Sequence, residues 1–333
     1  MLNDHAIYDL GTSIIELLKR DGKKLIDHFP TIAEVLSSRG YSTIALNQWI
    51  HSGELVNLDR GFQEYRDETD EITLWNGTLF EDMVGIFLDQ AGKNKDRKFF
   101  MYFHPNALHS PFLYPRDRVK GDFGEPVNVV SDRIIGVHIG GPTLKHVKDI
   151  QGPYAIEDDS DIVYNLLLYD NTLQSISQEK ILRDRQKYMD QIRYVDDELL
   201  RIFRFLEEED LVDTTIIVLY ANHGISLWEQ GISQVGVPYQ SSVHVPLLIR
   251  HPRVGEAIRI EVPISLVDMT TTVYEMLGIE LEHDLTISSL LPLISGDEYD
   301  REFLFGRDVQ MEFVRKGEWK LIIKESGEKE LYD

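Results

Sequence analysis

The chain has 333 residues, of which 42% are hydrophobic and 27% are charged, a composition that suits one large globular domain with or without a small appendage. Its 34 basic and 57 acidic residues give a formal charge of -23, and because such a surface repels phosphate backbones we expect no nucleic-acid partner. The absence of cysteine from the sequence excludes disulfides, thiolate metal sites and cysteine-derived nucleophiles within these residues.

Apolar runs in the sequence all fall short of the roughly 18 residues that a transmembrane helix needs. A secretion signal begins with a basic segment followed by an apolar run, and the start of this sequence, residues 1–5, does not have that pattern. From these two observations we expect a cytoplasmic protein with no membrane partner.

The N-terminal third of the chain alternates helical and strand-like patterns, as is typical of α/β proteins with a largely parallel sheet. Residues 31–34 form a capping box that opens a short helix, and Gly40 is placed to end it. Residues 42–46 and 98–104 are predicted strands, and a longer helix is predicted over 71–90.

Residues 105–177 are mostly irregular, with Pro, Gly and Asp recurring throughout. A loop region of this length inside a compact domain is usually functional or an insertion. We therefore interpret 105–177 as a lid or an inserted loop.

A long helix is predicted over 178–209, because apolar residues recur along it at spacings of three and four. Its apolar stripe consists of Tyr188, Ile192, Val195, Leu199, Ile202 and Leu206. Strands are predicted at 214–221 and 245–250. Ser265 is the predicted N-cap of a further helix, which Gly278 ends.

The tail of the chain changes to short strand-like runs at 303–306, 312–315 and 319–324. Lys316-Gly317 is suited to a tight turn between the last two runs. This pattern predicts a small antiparallel sheet appended to the main domain.

Several motifs follow one another in a fixed order along the chain. They are 30–36 with 39–45 and Gly61-Phe-Gln-Glu-Tyr65; 99–104 with His109-Ser-Pro; 188–197 with 213–218; Asn222-His223-Gly224 with Tyr239, 245–250 and 266–269; and 319–333. This ordered set covers most of the chain from about residue 28 on. It resembles the sulfatase family of the alkaline-phosphatase superfamily.

The resemblance implies a three-layer, alkaline-phosphatase-like sandwich around a mostly parallel sheet, with a small C-terminal antiparallel sheet. It also implies an organisation into segments. Residues 1–27 are an atypical N-terminal segment, 28–298 the sulfatase-like α/β domain with its loop or lid at 105–177, and 299–333 the small C-terminal subdomain.

By this resemblance the reaction is hydrolysis of a sulfate ester, which needs a nucleophile, a cation and an acid for the leaving group. The family's nucleophile is a modified Cys or Ser in a Cys/Ser-x-Pro-x-Arg element, and no residue of this chain fits that element. Residues 1–27 also contain no strand ending in Asp-Asp, which supplies the family's first metal ligands. We therefore expect a sulfatase-like protein that is incomplete or inactive by itself.

Three residues are candidates for the implied site. His109 is the candidate catalytic residue, since the family's histidine at this place faces the leaving oxygen as a general acid or hydrogen-bond donor. Asn222 and His223 are the candidate ligands of a divalent cation, Ca²⁺ or Mg²⁺, where the family usually has Asp-His-Gly or Asp-Asn-Gly. Because an Asn carbonyl is neutral, we expect these two ligands alone to hold such a cation poorly.

The same residues also have simpler structural interpretations. A histidine before Ser-Pro is often a capped turn residue, and His223 suits a loop histidine bonded to the backbone. Asp196 and Asp197 resemble a carboxylate pair, but their helical setting favours a structural role.

Three interpretations remain open. In the first, the chain is an incomplete sulfatase: a gene fragment, a chain with a mis-called start, or one half of a split enzyme whose partner is a separately encoded N-terminal segment. In the second it is a non-catalytic pseudoenzyme that binds sulfated or phosphorylated ligands, and in the third it is a hydrolase with another nucleophile. In each case the ligand is an anionic ester, either a small molecule or a glycan, with phosphate and phosphonate esters as alternatives to sulfate.

Overall fold

The computed structural model describes residues 30–48, 57–67, 80–105, 107–108, 178–227, 238–280, 288–299, 301–307 and 311–333. Its contacts divide these residues into two compact units. The first unit contains the described residues up to 215 together with Leu227, and the second contains 216–226 and the described residues from 238 on. The segment 1–27 and nearly all of the loop at 105–177 lie outside the described residues.

The first unit is built on a parallel sheet of strand order β2-β1-β3. Its strands are β1 (Ser42–Asn47), β2 (Glu64–Asp67) and β3 (Phe99–His104). Asn47 is in register with Asp67 on one side and with His104 on the other, so all three strands end at the same edge. The predicted parallel sheet is confirmed for these strands.

Helix α1 (Ile32–Ser38) leads into this sheet and begins with the predicted capping box. Thr31 Oγ1 accepts a hydrogen bond from the Glu34 backbone N–H at 3.1 Å, while the Glu34 carboxylate accepts one from the Thr31 N–H at 2.8 Å. Each such cap stabilises a helix by about 1 kcal/mol. Gly40, at φ +80°, ends the helix as predicted.

Helix α2 (Phe80–Asn94) covers one face of the parallel sheet. The apolar core between them consists of Ile44, Leu46, Met83, Ile86, Phe87, Met101 and Phe103. The helix extends to Asn94 instead of ending at residue 90, and the buried Asn94 side chain donates to the Gln90 carbonyl at 2.8 Å. Residues 71–79 of the predicted helix lie outside the described residues.

Helix α3 (Gln178–Glu208) confirms the predicted long helix, and Ile202 and Leu206 of the predicted apolar stripe are buried. The buried face also includes Gln191, Tyr194 and Glu198, which are not part of that stripe. The other four members of the stripe are half-buried: Tyr188, Ile192, Val195 and Leu199. Tyr194 packs edge-on against Phe80, and its hydroxyl accepts from the Glu81 N–H at 3.1 Å.

The buried carboxylate of Glu198 on α3 is tolerated because a cationic partner is within reach. Glu198 forms an ion pair with Arg201, one turn further along the helix. Asp196 and Asp197 are both exposed, which agrees with a structural role on the helix surface. Although α3 has 31 residues, none of the helices in the described part of the chain is long and apolar enough to cross a bilayer.

The second unit begins with two antiparallel strands, β4 (Ile217–Tyr220) and β5 (Leu247–Arg250). Both are shorter than the predicted strands. A 3-10 turn at Val212–Thr214 delays the first, and Pro246, which has no N–H to donate, precedes the second. A short helix, α4 (Gln240–Val243), lies before β5 in the chain.

Helices α5 (Asp268–Met276) and α6 (Leu291–Ser295) complete the main part of this unit. Helix α5 begins at Asp268 and not directly after Ser265, since the residues between them form a turn in which the Asp268 N–H donates to the Ser265 carbonyl at 3.2 Å. The Asp268 side chain is held by long-range contacts. Arg301 donates to both of its carboxylate oxygens at 3.0 and 2.6 Å, and the Tyr299 hydroxyl also donates to it. Gly278, at φ +68°, ends the helix as predicted.

The C-terminal sheet is antiparallel and has the strand order β6-β7-β8-β9, which confirms the predicted small sheet. Its strands are β6 (Leu304–Arg307), β7 (Met311–Lys316), β8 (Trp319–Lys324) and β9 (Lys329–Tyr332). Gly317, at φ +57°, lies in the predicted turn between β7 and β8. Strand β9 is an addition to the predicted set.

Candidate functional site

Two of the three predicted site residues, Asn222 and His223, lie on the loop that follows β4 in the second unit. The third, His109, lies outside the described residues, so its catalytic role stays a prediction.

The backbone of this loop is held against α4 by Gly224. The Gly224 N–H donates to the Ser242 carbonyl at 2.8 Å. A Cβ atom at this position would lie 2.2 Å from the Ser241 carbonyl oxygen, a distance that no side chain can tolerate. Only glycine permits so close an approach, and the approach fixes where the two preceding residues lie.

Buried serines tie the loop to α4 a second time. The Ser226 hydroxyl lies 2.6 Å from the Ser241 hydroxyl and 3.3 Å from that of Ser242. Ser226 and Ser242 are buried, so these hydroxyl contacts satisfy groups that water does not reach. The loop is therefore held against α4 at Gly224 and again at Ser226.

The His223 ring is oriented by its own loop. Its Nδ1 lies 2.9 Å from the Gly224 carbonyl, and because a carbonyl can only accept, Nδ1 carries the hydrogen. In the neutral ring the lone pair is then on Nε2. Burial lowers the pKa of His223 and outweighs the Gly224 carbonyl, which raises it. His223 is therefore neutral at pH 7, the form in which imidazole binds metal ions.

Asn222 is exposed, and its side-chain oxygen accepts a hydrogen bond from the His223 backbone N–H at 3.1 Å. Its amide and the neutral His223 ring bring no charge to the loop. Within the described ranges no three His, Asp or Glu side chains come together as metal ligands. Ca²⁺ and Mg²⁺ prefer several anionic or carbonyl oxygens, so Asn222 and His223 do not fit such a cation by themselves.

A second group of polar residues, which sequence reasoning missed, lies at the carboxyl edge of the parallel sheet in the first unit. Asn47 is buried and donates to the Tyr65 hydroxyl at 3.0 Å. The Tyr102 hydroxyl lies 3.1 Å from Nδ1 of His104. In open α/β sheets, ligands bind at this edge of the strands. The signal available in the sequence was that β1 and β3 each end in a polar residue.

The Gly-Phe-x-Glu-Tyr motif positions Tyr65 at this edge. Gly61 has φ +86°, and a Cβ there would lie 2.2 Å from the Glu34 backbone nitrogen of α1. The Gly61 carbonyl accepts a hydrogen bond from Thr43 Oγ1 at 2.7 Å. The Phe62 ring stacks on the Phe100 ring, with 5.8 Å between the centroids. The motif thus forms a turn, packed against α1, that places β2 in register with β1.

Comparison with known proteins gives consistent matches. A family model described as Sulfatase matches residues 5–279, and so begins earlier than the onset near residue 28 that the motifs indicated. Arylsulfatase K of Xenopus laevis is 25% identical over 82% of this chain and 53% of the relative. N-acetylglucosamine-6-O-sulfatase of Bacteroides thetaiotaomicron is 22% identical over 80% of this chain and 57% of the relative. The chain spans about half the length of these curated relatives.

Solved structures agree with these matches. The phosphonate monoester hydrolase of Agrobacterium radiobacter has a TM-score of 0.67 at 18% identity, covering 99% of this chain and 79% of that one. A protein in complex with its substrate D-glucosamine-2-N,6-O-disulfate has a TM-score of 0.64 at 19% identity, covering 99% of this chain and 80% of that one. At such identities the likeness shows the fold, and it confirms the predicted alkaline-phosphatase-like α/β class.

Proposed function

The chain belongs to the sulfatase family, and from this premise we propose that it takes part in sulfate-ester chemistry but does not hydrolyse such esters by itself. The observation that supports this most directly is the loop at 222–224. Its backbone is held firmly against α4, yet both of its candidate ligands are uncharged. The backbone of this loop is in place for a site, but neither candidate ligand carries a negative charge. We therefore propose that the chain has the family's scaffold without an efficient cation site.

The missing nucleophile supports the same proposal independently. The 333 residues include no cysteine, and none of the 12 prolines belongs to a Cys/Ser-x-Pro-x-Arg element. Ester hydrolysis of this kind needs a nucleophile and a cation together. We propose that a segment outside these 333 residues, with that element and with acidic metal ligands, completes the site.

The ligand that we propose is a sulfate ester, either a sulfated glycan or a smaller molecule. The names of the N-acetylglucosamine-6-O-sulfatase and of the disulfated glucosamine complex support this class. Because the chain has a formal charge of -23, an anionic ester needs a local cation to bind. His109 is the residue that we propose to face the leaving oxygen.

The test is turnover of an aryl sulfate and calorimetric titration with Ca²⁺ and Mg²⁺ on the purified chain at neutral pH. We expect neither turnover nor micromolar cation binding. Asn222→Asp should raise the Ca²⁺ affinity about tenfold or more, because it returns a carboxylate to a loop already in place. Gln240→Glu, which adds the same charge on α4, is the matched control. Micromolar cation binding and turnover by the unaltered chain would overturn the proposal.

Non-catalytic binding of an anionic ligand is the second candidate. Asn222 favours it, because this residue departs from the family pattern far from the start of the chain, where the family has its nucleophile element. Titration with a sulfated glucosamine and with a phosphonate monoester, each in EDTA, separates the two candidates. Binding that persists without a cation supports the binding protein, and its absence supports the incomplete enzyme.

A further inference from the structure

Tyr239 connects α4 to the C-terminal sheet of the same unit. It is the N-cap residue of α4 and is buried. Its hydroxyl donates to Glu330 Oε2 at 3.0 Å, although the two residues are 91 positions apart. Its ring also meets the Tyr332 ring edge-on, with 6.2 Å between the centroids. One aromatic side chain thus anchors the start of α4 on strand β9.

Glu330 is itself held by three donors. Lys324 Nζ lies 2.5 Å from its Oε1, and the Tyr332 hydroxyl donates to its Oε2 at 2.7 Å. These contacts, with that of Lys324 the strongest, lower the pKa of Glu330. Burial and the neighbouring carboxylate raise the pKa of Tyr239. At neutral pH the acceptor is therefore charged and the Tyr239 hydroxyl keeps its proton.

From Tyr239 the contacts lead to the candidate site. The Tyr239 carbonyl accepts from the N–H groups of Ser242 and Val243 at 2.9 and 3.1 Å. The Ser242 carbonyl then accepts from the Gly224 N–H at 2.8 Å. The Gly224 carbonyl orients the His223 ring. Four consecutive contacts thus join Glu330 to His223, all within the second unit.

We infer that Glu330 is a positioning residue: by holding Tyr239 it fixes α4, and through α4 it fixes the loop at 222–224. This inference deepens the proposed function and rests on it for the meaning of the site. The Glu330 side chain is not needed for the pairing of β9 with β8, which uses backbone groups, so its contacts serve Tyr239 without breaking the sheet.

The experiment measures amide signals and hydrogen exchange of Gly224 by NMR on the intact chain. Glu330→Ala and Tyr239→Phe should each shift the Gly224 signal and speed its exchange roughly tenfold, since the loop loses its support. Glu330→Gln keeps an oxygen that accepts from Tyr239 and should restore most of the protection. Glu328→Gln removes the other carboxylate on Lys324, 3.1 Å away, and should leave Gly224 unchanged.

The Phe313 amide on β7 reports separately on the C-terminal sheet, so a general loss of structure is distinguishable from a local one. If Glu330→Ala fails to fold, Tyr239→Phe still decides the outcome. Unchanged Gly224 exchange in the folded Tyr239→Phe chain would overturn the inference. The measurement of Gly224 requires neither cation nor ester. The inference can therefore hold when the proposed function fails, and the proposed function can hold when the inference fails.

Discussion

The two units hold their polar side chains in place by different means. In the first, the register of parallel strands brings Asn47 beside His104 at one sheet edge. In the second, His223 lies on a loop whose position depends on Gly224, α4 and Tyr239 in turn. A strand ladder is made of backbone groups and survives the loss of one side chain. A series of single contacts is interrupted when one of its side chains is lost. We therefore expect substitutions to act locally in the first unit and over a distance in the second.

The largest effect is expected at a glycine where both the backbone conformation and a close contact exclude a side chain. Gly61→Ala combines a left-handed φ of +86° with a Cβ 2.2 Å from the Glu34 nitrogen, and should lower the free energy of unfolding by ~3 kcal/mol or more. Gly40→Ala has the same kind of φ, +80°, with no atom within 4 Å, and should cost about 1 kcal/mol. Urea denaturation measures both. Equal losses would show that the contact with α1 contributes nothing.

Gly224→Ala tests the corresponding contact in the second unit. Its Cβ would lie 2.2 Å from the Ser241 carbonyl but without an unfavourable φ, so we expect a loss of ~2 to 3 kcal/mol. Gly255→Ala, with no atom within 4 Å, should change stability by less than about 0.5 kcal/mol. Denaturation of both variants under the same conditions makes the comparison. A Gly224→Ala chain as stable as its control would mean that the loop is free to move away from α4.

A buried charge distinguishes the C-terminal sheet from the parallel sheet, whose buried polar residues on β1 are uncharged. Lys320 is 6% exposed, and in the described part of the chain its ammonium has no hydrogen-bond partner, lying 4.3 Å over the Phe313 ring. Burial, and then the charge of Arg315, lower the pKa of Lys320 from 10.5 to about 8.

This lowered pKa gives a pH dependence with a definite sign. Between pH 8 and 10.5 the unfolded chain binds more protons at Lys320 than the folded chain does, so stability rises with pH by up to about 3 kcal/mol. Lys320→Met should remove that rise, whereas Lys329→Met on the exposed part of β9 should retain it. Denaturation at pH 7.5 and pH 10 measures the difference. A rise that persists in Lys320→Met would assign it to another group.

The smallest effect is expected at the sheet edge of the first unit. Tyr65→Phe removes the hydroxyl that accepts from Asn47 at 3.0 Å and should cost about 1 kcal/mol. A double-mutant cycle with Asn47→Ala isolates the interaction of the two side chains, for which we expect a coupling of similar size. A coupling near zero would indicate that the strand register alone positions Asn47.

Local features of the fold were predictable because a few neighbouring residues encode them. The capping box of Thr31 and Glu34, the helix end at Gly278 and the turn at Gly317 each depend on contacts within four residues or on one glycine. The parallel order of β1 and β3 followed from the alternation of strand and helix.

Features that depend on distant partners were not predictable in the same way. The buried face of α3 includes Gln191 and Glu198, and a hydrophobic pattern assigns such residues to the surface. In the candidate site, the motif identified Asn222 and His223, but nothing near them in the sequence indicated Ser241, Ser242 or Glu330. Those contacts arise only when segments far apart in the chain meet.

The contact between Gly224 and α4 also bears on the history of the loop. Its shape depends on the glycine and on α4, while the side chain at 222 is exposed. Exchange between amide and carboxylate at that position therefore leaves the backbone where it was. One base change converts an Asn codon to an Asp codon, so a lineage can discard or regain the charge without refolding the loop. The loop thus constrains residue 224 strictly and leaves the charge of residue 222 open to change.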